Sequence, residues 1–171
     1  MKALGPLSLL MCLLANAAKG SEPRPYEATY TAKALGFSAT AFRRQTITAP
    51  EHYTLINSLT LTVLGANVGS VTETSEYQWQ DGTILPLHYE YAQTGLSASY
   101  ESIDFDWENG LAESRSDEDS WQLNLSPGVL DKLSYSAQIG PDILSKGLEE
   151  FRYEVLDQES SDQHPYQISA T

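Results

Sequence analysis

Two pairs of carboxylates stand at spacings that acid–base chemistry could use. Asp104 and Asp106 lie two residues apart in "IDFDWENGLAES", so a strand places both on one face; Glu73 and Glu76 lie three apart in "SVTETSEYQWQ". Glycoside hydrolysis needs two such carboxyls, one held protonated as the acid and one ionised as base or nucleophile. An envelope polysaccharide hydrolase built on these pairs is therefore the enzymatic alternative. The raised pKa it demands comes from a desolvated pocket, and nothing around the aspartates suggests one. Asp104, Asp106 and Glu108 alternate with Ile103, Phe105 and Trp107. That is the pattern of a strand with one wet and one packed face. Like charges about 7 Å apart on the wet face repel only weakly in salt.

Other chemistries find less support. His52, His88 and His164 are not paired at metal-ligating distance along the chain, and Cys12 is the one cysteine. No nucleophile elbow and no phosphate-cradling glycine loop is present, so no catalytic residue, metal or cofactor is expected. With 23 acidic against 10 basic residues the net charge is −13, which opposes nucleic acid as a partner.

The remaining candidates are apolar. Tyr77, Trp79, Tyr89, Tyr91, Phe105, Trp107 and Trp121 fall mostly on inward positions of their strands. Core packing accounts for most of such a set. In an open sheet, Tyr89, Tyr91, Trp107 and Trp121, together with Leu130 and Leu133 of a covering helix, would instead line a groove for an acyl chain, a peptide or a sugar.

The elements that position these residues read mainly in period two. "YEATYTAKAL" puts Tyr26, Ala28, Tyr30 and Ala32 on one side, and a strand from Phe37 to Thr48 follows. "YTLINSLTLTVL" alternates Leu55, Asn57, Leu59, Leu61 and Val63; "GANVG" then breaks the chain, with Gly65 and Gly69 free to take positive φ. Asp81-Gly82, Thr94-Gly95 and Asn109-Gly110 mark hairpins, the last as a type I′ turn. "ILPLHYEYAQ" sets Leu85, Leu87, Tyr89 and Tyr91 in phase, and Pro86 requires an edge or a bulge. One stretch is helical: Ser126 as cap, Pro127 in the first turn, a stripe of Val129, Leu130, Leu133 and Ala137, and a stop at Gly140-Pro141, with a short turn from Asp142 to Lys146. "EEFRYEVLDQ" and "YQISAT" return to strand. The sum is an antiparallel sheet of about eight to ten strands with one principal helix.

Residues 1–17 read as a signal peptide, with Lys2, an apolar run from Ala3 to Leu14 too short to span a bilayer, and Ala15-Asn16-Ala17 for the peptidase. Residues 18–171 then make a single antiparallel β domain with a helical insertion at about 127–146, without disulfides and without a transmembrane segment.

The "YEATYTAKALGFSAT" opening, the "SEYQWQDGTILPLHYEY" hairpin, "IDFDWENG" and "WQLNLSPGVLDKLSY", in this order and spacing, resemble the exported proteins of Gram-negative bacteria known as domain of unknown function 3108. The resemblance covers Tyr26 to Asp157. It implies a periplasmic protein whose strands form a curved, open antiparallel β-barrel, and it carries over no catalytic residue; the narrow apolar stripe of the helix suits it to cover the mouth of that sheet as plug or lid. Members of that family continue for several strands, one containing tryptophan, beyond the point equivalent to Thr171, which implies a barrel incomplete at its C-terminal end and an exposed sheet edge. The expected function is a non-enzymatic binding or scaffold protein of the cell envelope, with an apolar or glycan ligand or another envelope protein as partner.

Cleavage is expected near Ala17. Mass spectrometry of protein from a periplasmic extract should find a new N-terminus at Ala18 or within a few residues; Met1 retained on that protein would refute the export reading.

Overall fold

The computed structural model describes residues 22–95, 97–117, 119–146, 153–155 and 166–168. Eight strands follow one another as an antiparallel meander: β1 Tyr26–Ala34, β2 Phe37–Ala49, β3 His52–Val63, β4 Ala66–Gln80, β5 Thr83–Gly95, β6 Ser99–Asp106, β7 Leu111–Ser116 and β8 Ser120–Asn124. The helix α1, Ser134–Lys146, comes next, and a separate antiparallel pair is formed by β9, Tyr153–Val155, and β10, Tyr166–Ile168. The main sheet is curved and unclosed, with β1 and β8 as its edges. Mainly β architecture with one helix agrees with the reading from sequence; a barrel in the sense of a closed ring is not what forms. Residues 1–17, which the sequence suggests are a signal peptide, and His164 lie outside the described residues.

Register decides which side chains meet. One row runs straight across the sheet: Tyr26, Gln45, Leu55, Ser75, Tyr89, Ile103, Ser114 and Trp121. Because the side-chain period is two, this row and every second row beside it share one face. Leu133 of the segment leading into α1 packs on that inner face, where Tyr53, Leu55, Tyr77, Trp79, Ile84 and Tyr89 make the core.

The turns obey simple backbone rules. Leu35-Gly36, Leu64-Gly65 and Asp81-Gly82 each place two residues at positive φ, the signature of a two-residue type I′ hairpin whose twist matches its strands. At Asn109-Gly110 the loop differs from expectation. Asp106 pairs with Leu111, so four residues intervene, and only Gly110 takes positive φ. The Asp106 carboxylate accepts hydrogen bonds from the Asn109 backbone N–H and side-chain amide, which favours the wider loop.

Three further departures have local causes. Gly69 lies inside β4 rather than in a break, because a bulge opposite Leu61 and Thr62 absorbs the extra residue and the Gly95 backbone comes close against it. A second bulge sets Tyr77 opposite Pro86 two residues from the Glu76–His88 pair. It shifts the phase of β5, so Ile84 and Pro86, not Leu85 and Leu87, point into the core. Finally, α1 begins at Ser134, not Pro127, since Gly128 takes φ 87 and closes a four-residue turn, Val129 N–H to the Ser126 carbonyl, that is not helical. It also continues through Gly140-Pro141. Pro141 forgoes one backbone hydrogen bond, and burial of its ring offsets that loss.

Length sets the coverage. The 13 residues of α1 span about 20 Å, whereas the 15 residues of β4 span about 50 Å. The helix sits at the Tyr53–Tyr77–Tyr89 end. Among the described residues nothing covers the other end of the inner face.

Gly110, in the loop after β6, and Gly95, at the end of β5, should separate strain from crowding. At Gly110, a Cβ would meet nothing within 4 Å, so Gly110→Ala pays only for its φ of 68, about 1 kcal/mol. At Gly95, a Cβ would lie 2.3 Å from the Val68 carbonyl oxygen and 2.5 Å from the Gly69 Cα, so Gly95→Ala should cost roughly 3 kcal/mol or more in urea unfolding. Equal costs would show that the β4–β5 backbones have room to part.

Candidate functional site

A buried aspartate fixes the floor of any site on the inner face. Asp131 precedes α1 and caps it: its Oδ1 accepts from the backbone N–H groups of Leu133 and Ser134, each at 2.8 Å. Ser134 answers as in a capping box, its Oγ accepting from the Asp131 N–H at 3.0 Å. The other carboxylate oxygen accepts from Ser75 Oγ at 2.7 Å. Ser75 stands mid-row between Leu55 and Tyr89, so the cap is also a tether to the centre of the sheet. Gln138 adds a second tether, accepting from the Ile84 N–H at 2.7 Å and donating to the Gly82 carbonyl.

The tyrosines beneath this helix are packed yet fully satisfied. Tyr53 and Tyr77 stack at 5.3 Å. Tyr77 donates to Gln45, Tyr89 to Glu73 and Tyr53 to Glu22. Burial pushes all three phenols well above the usual tyrosine range, and the carboxylates accepting from Tyr53 and Tyr89 push further the same way. They are therefore permanent donors, unsuited to proton transfer near neutral pH. Among the described residues no buried side-chain polar atom lacks a partner.

The residues singled out from sequence divide into two groups. Tyr89, Tyr91, Leu130 and Leu133 gather in or against one cluster, with Tyr89 at 0% and Leu133 at 2% exposure. With α1 seated, these two present no surface to a ligand. Trp107 is one step removed: its Nε1 donates to the Pro86 carbonyl at 2.6 Å and its ring stacks on Phe105, which packs against that cluster. Trp121 sits half-buried on the edge strand β8, opposite Ser114.

The acidic row lies on the outer face and is engaged there. Asp104 bridges His88 Nδ1 at 2.7 Å and Arg115 at 3.0 Å, and Arg115 also holds Glu113. Asp106 caps its loop, and the hydrogen bonds from the Asn109 side chain and backbone hold its carboxyl below the usual range. Glu73 and Glu76 fall on opposite faces, with Glu73 inward beside Tyr91 and Glu76 outward beside His88. Neither pair singled out from sequence lies in the desolvated pocket that a general acid requires, since Asp104 and Asp106 stand on the solvated outer face and Glu73 and Glu76 point apart. Among the described residues no group of three or more metal-ligating side chains forms.

The sequence reading missed Arg43. In β2, Phe37, Ala39, Ala41, Arg43 and Gln45 share the inward phase, so a single cation among small and apolar neighbours was the available signal. Its guanidinium is partly buried at the margin of α1. Nε donates to Tyr26 Oη at 2.5 Å, Nη1 to Asn57 Oδ1 at 3.2 Å and Nη2 to Ser136 Oγ at 2.6 Å. Beyond it the inner face continues through Tyr30, Ala41, Leu59 and Val71, then Ala32, Ala39 and Leu61.

Substitution should rank the two polar clusters. Asp131→Ala removes a cap and strands Ser75 beneath the helix, costing about 3 kcal/mol or more; Ser75→Ala should cost about 1–2 kcal/mol. Asp104→Asn leaves Arg115 paired with Glu113 and should cost about 0.5 kcal/mol or less. Thermal or urea unfolding of the three variants checks this order, and an Asp104 variant worse than the Asp131 variant would reverse the reading of both faces.

Comparison with known proteins leaves the activity open and settles the kinship. No curated protein and no solved structure matches the chain. A family model described as a protein of unknown function, DUF3108, matches residues 25–171, which include every strand described above and α1. The chain belongs to the DUF3108 family.

Proposed function

We propose that the protein is a non-enzymatic binding protein of the bacterial periplasm that holds an apolar chain on the part of its inner face left uncovered by α1. One observation carries this reading. Tyr30 is 62% exposed, Phe37 54%, Leu59 46% and Leu61 41%, and all four share that face. Apolar side chains scattered singly are ordinary on a surface; a contiguous set across three strands marks a place where something docks. Alanines 32, 39 and 41 between them keep the surface shallow enough to receive a chain.

The hairpin ends reinforce it. Leu35 and Leu64 stand almost fully exposed at positive φ, a conformation that asparagine or glycine adopts at lower cost. Strain and exposure together at two neighbouring turns extend the apolar surface to the tip of the sheet. Tyr91 and Leu130 frame the end beside α1; Tyr89 and Leu133 would join only if the helix lifts. A glycan is less suited than an acyl chain, because this half offers few hydrogen-bonding side chains. The periplasmic location rests on the N-terminal series of Lys2, apolar run and Ala-Asn-Ala.

Native mass spectrometry of protein taken gently from a periplasmic extract tests the reading. An apolar adduct that solvent extracts is expected on the parent protein and absent from Leu61→Glu, whose substitution is at an exposed position and should leave the fold intact. Parent protein that is always free of adduct, and that takes up no fatty acid when one is offered, would contradict it.

A further inference from the structure

The geometry points to Arg43 as the head-group site of the same surface: the ligand is a single-chain amphiphile with an oxyanion head, its carboxylate or phosphate on Arg43 and its tail on Leu59 and Leu61. This inference rests on the binding role proposed above and adds the chemistry of the ligand.

The argument begins with charge. Arg44 holds Glu27, Arg115 holds Asp104 and Glu113, and Lys132 holds Glu101, all at ion-pair distance. Acids outnumber bases more than two to one, so a carboxylate partner is easy to supply. Arg43 has none among the described residues. Its acceptors are a phenol, an amide oxygen and a hydroxyl, all uncharged. Glu73 stands in the same row but one strand beyond Asn57, where the Tyr89 hydroxyl donates to it. A cation partly removed from water with only neutral acceptors is left short of compensation, which an oxyanion supplies.

Geometry agrees. A guanidinium carries five N–H groups; three are used here, which leaves two for an incoming anion. The three neutral contacts come from β1, β3 and α1, so they hold the fork in place before any ligand arrives. From Arg43 the inward positions of β2 run through Ala41 and Ala39 to Phe37, about 20 Å of strand. Leu59 and Leu61 lie opposite Ala41 and Ala39 on β3. One end of the exposed apolar strip thus meets a fixed cation, as an anionic amphiphile requires.

Equilibrium dialysis of the full chain with myristate, tetradecyl phosphate and 1-tetradecanol separates head from tail. The parent should bind one or both anions more tightly than the alcohol, and the tighter one identifies the head group. Arg43→Met keeps the aliphatic stem and should weaken the anions by about tenfold or more while leaving the alcohol within about twofold. Arg43→Lys should retain part of the advantage, which distinguishes lost charge from lost folding, and Leu61→Glu should weaken all three. If Arg43→Met binds the anions as the parent does, the head-group assignment is overturned and the apolar surface stands. If the parent binds none of the three, the surface is occupied by another segment or a second copy, and both readings fall.

Discussion

The Asp131 carboxylate, buried between the start of α1 and the middle of β4, is the interaction on which the arrangement depends. A carboxylate out of water is tolerated only when its lone pairs are filled, and here two backbone N–H groups and a serine hydroxyl fill them. The same bonds satisfy the first turn of the helix and fix where on the sheet it lies. Leu133 then drops into the aromatic cluster, and Gln138 ties the middle of the helix to the Asp81-Gly82 hairpin. A helix so fastened behaves as a plug for one end of the sheet.

What the plug leaves out follows from length alone. Strands β2 to β5 run far beyond a 13-residue helix, and the inward residues of β2 and β3 stay apolar where no described residue covers them. The two faces are thereby separated in character. On the outer face Glu27 pairs with Arg44, Asp104 with Arg115 and by a hydrogen bond with His88, and Asp106 with the Asn109 amide. The inner face carries Leu133, the tyrosines and the exposed leucines, with Arg43 at the boundary between packed and open halves.

Much of this could be read in the residues. Period-two alternation located the strands, and Pro86 announced its bulge. The alternation of Asp104 and Asp106 identified an outer face, because a wet strand face and a catalytic pair differ in their neighbours, not in the acids themselves, while Glu108 falls beyond the strand in the loop. Other features lay beyond local pattern. Ser126 is the cap that local pattern suggests, whereas the cap that forms, Asp131, is held by Ser75, more than fifty residues earlier. The phase of β5 depends on where a bulge falls opposite Tyr77, which is a property of the pair of strands. The openness of one half of the inner face is a difference between two lengths, visible only once register aligns them. For that reason Tyr89 and Leu133 could be marked as inward from sequence, while Leu59 and Leu61 could not be told from ordinary core positions, and Arg43 stood out only as a lone cation in the inward phase of its strand.

The division into a plugged half and an open half is tested most directly by solvent paramagnetic relaxation, measured on leucine methyl groups with a soluble gadolinium probe. The methyls of Leu59 and Leu61 should broaden strongly, while those of Leu55 and Leu133 should be nearly unaffected. Leu59 and Leu61 as well protected as Leu55, or Leu133 as exposed as they are, would contradict the account.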